Sequence, residues 1–105
     1  MPADPALAPL AGLLEAVSAK LTAFGEEHWA TRLADDARRL RFGDPGALAH
    51  FLSAFGGMGS INDLYICPQN GHRIEEADVR ASNERLRRAL SDAWELARIQ
   101  ARERE

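Results

Sequence analysis

Ser60, Asp63 and His72 fall within thirteen positions of one another, and they are the residue types of a nucleophile, an orienting acid and a base. Residue types alone do not make a hydrolase. Ser60 is not placed at a strand–turn–helix elbow, and a chain of 105 residues has little room for a water-excluding cleft besides its core. No enzymatic activity is expected, and no catalytic residue is assigned. A metal site would have to recruit Cys67, His72 and Asp63, with His28 or His50, from separate segments. Four residues separate Cys67 from His72, and neither has a second ligand nearby at the spacing of a zinc module. Neither a metal nor another cofactor is expected. The plainer roles are a turn histidine bonded to its own loop and a small buried thiol.

The run Phe55-Gly56-Gly57-Met58-Gly59-Ser60-Ile61-Asn62-Asp63-Leu64 packs three glycines into four positions. Glycine carries a backbone entropy cost, so such clustering implies positive φ or close approach of another backbone. One reading is a helix end followed by a sharp turn, with Ser60, Asn62 and Asp63 bonding to loop amides. The other is an exposed backbone cradle that offers N–H groups to an anion or a partner carbonyl. The run lacks the Gly-Lys-Ser/Thr ending of a P-loop and the spacing of a dinucleotide fingerprint. Gly57, Gly59, Ser60, Asn62 and Asp63 are candidate binding residues, joined by Asn70 and His72 from the following turn. Asn83 completes the set. If the last helix starts near Glu75, Asn83 lies on its apolar stripe, and its amide must find partners in the loop around residues 57–62. If the helix starts near Ser82, Ser82 or Asn83 is instead its N-cap.

These residues need elements to position them. Leu7, Leu10, Leu14, Val17, Leu21 and Phe24 recur at spacings of three and four and predict a first helix, ended by Gly25. A second helix runs from about Glu26 to Arg41 with Trp29, Leu33, Ala37 and Leu40 inward, so the first two form a hairpin. Its cationic end, Arg38, Arg39 and Arg41, suits the negative pole of the helix dipole, while Asp35 and Asp36 read as a solvated face. Asp44-Pro45 starts a short third helix carrying Leu48, Phe51, Leu52 and Phe55, which ends at Gly56-Gly57. Leu64–Cys67, the turn Pro68–Gly71 and His72–Ile74 predict a small β-hairpin. A long last helix, about 75–102, follows with Val79, Leu86, Leu90, Trp94 and Ala97 on one face and alternating Glu76, Arg80, Glu84 and Arg88 on the other. The expected fold is therefore mainly α. It is a single four-helix domain over residues 6–105, with a Gly-rich loop and β-hairpin between helices three and four, after a disordered lead-in at 1–5 that carries Pro2 and Pro5.

The central run, with Tyr65, Asn70-Gly71-His72, Asn83-Glu84-Arg85-Leu86 and the earlier Glu27-His28-Trp29, resembles an uncharacterised family of small bacterial proteins, a domain of unknown function. The shared pattern is Phe-Gly-Gly-Met-Gly-Ser-x-Asn-Asp-Leu, and the resemblance spans roughly Leu7 to Ala97. It implies no activity or catalytic residues. Comparable small helical proteins act as immunity partners of secreted toxins, an analogy of size and style. An Arg-rich chain whose single lysine is Lys20 also resembles the products of GC-rich bacterial genomes.

Composition narrows the function classes. With 46% hydrophobic and 28% charged residues, the chain reads as an ordinary globule. A net charge of −3, with acids interleaved among the arginines, does not favour nucleic acid as a partner. One cysteine excludes an internal disulfide and fits a reducing, cytoplasmic setting. No run reaches the roughly twenty continuous apolar residues of a membrane span, so no membrane partner is expected. The expected function is a non-enzymatic protein-interaction module using loop 56–72, with another protein, in the immunity-like case a toxin domain, as partner. The alternatives are a small-ligand or anion site in the Gly-rich loop, and a homodimer formed through the last helix.

Overall fold

The three-and-four spacing of leucines near the start of the chain builds helix α1, Ala8–Phe24, in the computed structural model, which describes residues 4–56 and 58–104. Leu7, Leu10, Ala11, Leu14, Val17 and Leu21 are buried along one side. Gly25 ends the helix at φ 82°, and the Gly25 and Glu26 amides donate back to the Thr22 and Leu21 carbonyls at 3.0 and 2.8 Å. That pairing is the Schellman pattern, which turns the chain sharply enough for α2 to return antiparallel along α1. Helix α2, Glu27–Arg41, starts with the Glu26 carboxylate accepting from the Trp29 amide and buries Trp29, Ala30, Leu33, Ala37 and Leu40. Ser18 in α1 donates to the Ala30 carbonyl at 2.7 Å and fixes the register of the pair.

The cationic end of α2 is paired off: Arg38 with Asp35 at 2.9 Å, Arg39 with Asp44 at 2.9 Å, and Arg41 with Glu15 at 2.7 Å. Asp44 also accepts from the Gly46 amide, the first of helix α3, Gly46–Leu52; the N-cap position falls on Pro45, one residue later than the Asp44-Pro45 pattern predicts. Phe55 lies beyond the end of α3, yet it still stacks edge-on against Phe51 and near Trp94.

The expected β-hairpin is not formed; among the described residues there is no strand. Leu64–Cys67 and His72–Ile74 are extended, but their backbone groups bond elsewhere. Pro68 has no N–H to offer, and Pro68–Asn70 winds into a 3-10 turn in which the Cys67 carbonyl accepts from both Asn70 and His72. The Ile66 amide and carbonyl go to Asn83, and the Arg73 amide goes to the Phe24 carbonyl at the end of α1. Apart from the contacts between Cys67 and His72, each segment is held by a helix rather than by its neighbour.

A further 3-10 turn, Glu76–Asp78, leads into α4, Val79–Glu103, so the last helix starts from the Glu75 side and Ser82 lies within it. At 25 residues it spans about 37 Å, most of the 43 Å length of the molecule. Leu86, Leu90, Ala93 and Ala97 pack on α1 and α3, while Trp94 is half-buried under the Arg98 guanidinium. The result is an all-α domain of four helices. Pro5–Phe24 is long and apolar enough to cross a membrane by length and composition, contrary to the expectation from continuous runs; in this fold one side of it is core.

Candidate functional site

Loop 53–75 is held from outside by one face of α4. Asn83, buried, donates to the Ile66 and Val79 carbonyls and accepts from the Ile66 amide, all at 2.8 Å. One helical turn later Arg87 donates to the Ile61 and Leu64 carbonyls. The spacing of four places both side chains on one line, so together they grip residues 61–66. The expected clamp by Asn83 is present in kind, but it closes on Ile66 rather than on residues 57–62. Within the loop the Ile61 amide returns to the Ala54 carbonyl at 2.9 Å.

The sequence-predicted residues are used inside this scaffold. Gly59 adopts φ 75°, and its amide donates to the Asp63 carboxylate at 2.8 Å; Gly56 adopts φ 92°. A Cβ at either would meet nothing within 4 Å, so positive φ, not close approach, explains these two glycines. Gly57 lies outside the described residues. Ser60 is buried and caps the Ile61–Asp63 turn by accepting from the Asn62 amide, while the Asn62 side chain stays exposed. Asn70 donates to the Tyr65 carbonyl, and Gly71 takes φ 85°. His72 is buried. Its Nδ1 accepts from the Cys67 amide at 3.2 Å, which places the proton on Nε2, facing Glu26 Oε1 at 3.1 Å. Ser60, Asp63 and His72 therefore serve three separate bonds and do not converge. Cys67 meets His72 through its backbone, not its thiol, and among the described residues no three His, Cys, Asp or Glu side chains group to hold a metal.

A second constellation sits between α2 and α3. Asp36 is fully buried, contrary to the solvated face expected for it, and its Oδ1 lies 2.6 Å from His50 Nδ1. Its Oδ2 and the nearby Arg32 Nε are buried without a hydrogen-bond partner among the described residues. Burial pushes the Asp36 carboxyl up from its ordinary value, and the His50 hydrogen bond pulls it partly back. Asp36 Oδ1 engages Nδ1, which leaves Nε2 as the other ring nitrogen of a half-exposed His50. His50 borders an open cleft with Glu27, His28, Thr31, Arg32 and Asp35. Ser53 is near but committed: it donates to the His50 carbonyl at 2.6 Å and accepts from Arg32 at 3.0 Å. The cleft thus has an oriented imidazole with no hydroxyl bonded to it among the described residues.

The profile of a domain of unknown function, DUF6966, matches residues 22–75, just over half of the chain. The chain belongs to this family. The DUF6966 match runs from the last turn of α1 through α2, α3 and the loop to the threshold of α4. It includes the Asp36–His50 pair and the whole loop, while the gripping residues Asn83 and Arg87 lie beyond it. No curated protein and no solved structure matches the chain. Two features of this DUF6966 chain carry a signal in its sequence. Asp36 follows Leu33 by three and precedes Leu40 by four, which is an inward position. Arg87 follows Asn83 by four on the same side of α4.

Proposed function

We propose that this DUF6966 chain is a non-enzymatic protein-interaction module that docks another protein through loop 54–66. The observation that carries the reading is Met58: its side chain is fully exposed at the tip of a loop fastened to α4 by Asn83 and Arg87. A large apolar side chain held in water costs free energy, and a thioether with three rotatable bonds adapts to varied partner surfaces. Tyr65, half-exposed on the same loop, adds an aromatic of the kind enriched where interfaces form. Asn62, between them in sequence, is also exposed.

The competing anion-cradle reading has less support. The amides an anion would need, those of Gly59, Ile61, Asn62 and Asp63, already donate to Asp63, Ala54 and Ser60. The test is a low-salt pull-down with the tagged full chain from cells of its source, read by mass spectrometry. An equimolar partner should be captured by the wild type and lost by a Met58→Ser, Asn62→Ala double variant that melts at the wild-type temperature. In the immunity-like form of the reading, that partner is a toxin domain. Equal capture by both forms, or no protein partner at all, overturns the proposal. A small anion that raises the melting temperature in the absence of protein would support the cradle instead.

A further inference from the structure

Helix α1 is apolar beyond the side that builds the core. Between its outer flank and α4 lies a pit of about 110 Å³ walled by Leu13, Val17 and Leu21 on one side and Leu86 and Ala89 on the other. Its lining is mainly hydrocarbon, with Lys20, Ser82 and Arg85 as the polar members, and Leu13 and Phe24 remain only partly buried there. Two cations stand at its rim. Lys20 and Arg85 both line the pit, and neither forms an ion pair among the described residues; Arg85 reaches only the Ser82 hydroxyl beside it, at 3.5 Å. Beyond Phe24, Ser82 and Arg85 the pit opens into a wider, polar mouth bordered by Arg73, Ile74, Glu75 and Asp78. Hydrocarbon walls lead directly to unpaired positive charge.

From that juxtaposition we infer that the groove between α1 and α4 binds a short single-chain carboxylate, a free fatty acid of about six to eight carbons. The alkyl tail fills the pit. On the scale by which an apolar cavity of ~150 Å³ takes a benzene ring, this one takes roughly four carbons, and the rest of the chain reaches the rim. The carboxylate lies between Lys20 and Arg85, where the guanidinium can meet it with two parallel N–H donors. Glu75 and Asp78 border only the outer mouth, so they repel an anion that projects too far and thereby limit the chain length at which the head still meets Arg85. The groove shares no residue with loop 54–66, and the inference stands independently of the proposed docking function.

The experiment is calorimetric titration of the full chain with butyrate, hexanoate, octanoate and decanoate, with octylamine as the charge-reversed control. Binding at one site per chain should tighten about fourfold for each added methylene until the pit is full and then level off. Octylamine should bind at least tenfold more weakly than octanoate. A Lys20→Gln, Arg85→Gln double variant should lose roughly tenfold for octanoate while melting normally. Ala16→Phe, at an exposed position whose new ring fills the pit from the solvent side, should abolish binding. Absence of octanoate binding, equal affinity for octylamine, or affinity untouched by both variants overturns the inference. Association with anionic vesicles without binding of the free acid, or a partner protein lost with Ala16→Phe, would overturn it as well.

Discussion

At the residue scale the costliest feature is Asp36, a carboxylate with no exposed surface, one hydrogen bond to His50 and an unpartnered Oδ2. An ionised group in that setting is disfavoured by lost hydration, and its folded-state proton affinity lies above the ordinary carboxylate value. The linkage sign follows. A carboxyl whose folded pKa is raised supports the fold fully below its unfolded value, about 3.9, and that support is lost as pH rises through the folded value. Asp36→Asn keeps an oxygen to accept from His50 Nδ1–H and removes the titration. The variant should therefore gain stability relative to the wild type as pH climbs from about 4, measured by denaturant unfolding at a series of pH values. Parallel curves for the two proteins would mean that Asp36 is not held up by burial. The contrast is Asp44, only partly buried, whose carboxyl is drawn below the ordinary value first by its hydrogen bond to Arg39 and then by the Gly46 amide.

At the element scale the helices were legible because each carries its own period and its own stop. The stripe Leu10, Leu14, Val17, Leu21 and the left-handed Gly25 depend only on neighbours three to four residues away. The hairpin was not legible, because the signal for an extended segment does not say what will bond to it. Leu64–Cys67 has strand-like residues, but the Ile66 amide and carbonyl and the Leu64 carbonyl go to Asn83 and Arg87, seventeen or more positions away in a helix. Of the candidate site residues, the turn roles of Gly59, Ser60 and Asp63 follow from local chemistry, whereas His72 bonding to Glu26 across 46 positions does not. The clamp itself yields a prediction. Asn83→Ala would leave the Ile66 amide and carbonyl buried without partners, at a cost of about 1–3 kcal/mol. Thermal unfolding gives the loss, and hydrogen exchange should show the Ile66 amide deprotected ahead of those in α1 and α2. A variant as stable as the wild type, with Ile66 still protected, would show that Arg87 alone holds the loop.

At the scale of the whole molecule, the question is which surface remains for association once the core is made. α4 spends its apolar residues inward: Leu86, Leu90, Ala93 and Ala97 are buried against α1 and α3. Its outward positions include Arg80, Glu84, Arg88, Asp92 and Glu95, the first four alternating in sign, with Arg80 and Glu84 paired at 3.3 Å. Such a face is well solvated and offers no second stripe to a copy of itself. The large apolar side chains left exposed are Phe42 after α2, Met58 and Tyr65 on the loop, and Ile99 near the end of α4, which share no single element. A stable dimer buries about 800 Å² from each partner, a substantial fraction of the 6115 Å² this chain exposes, and scattered side chains do not build such a patch. The expected state is a monomer. Sedimentation should return the monomer mass up to roughly 100 µM, where even contacts of micromolar affinity would be populated. A mass that doubles with concentration would place self-association on α4 despite its charge, and Arg88→Glu should then disrupt it. A monomer at all concentrations leaves loop 54–66 and the α1–α4 groove as the surfaces where partner and ligand are to be sought.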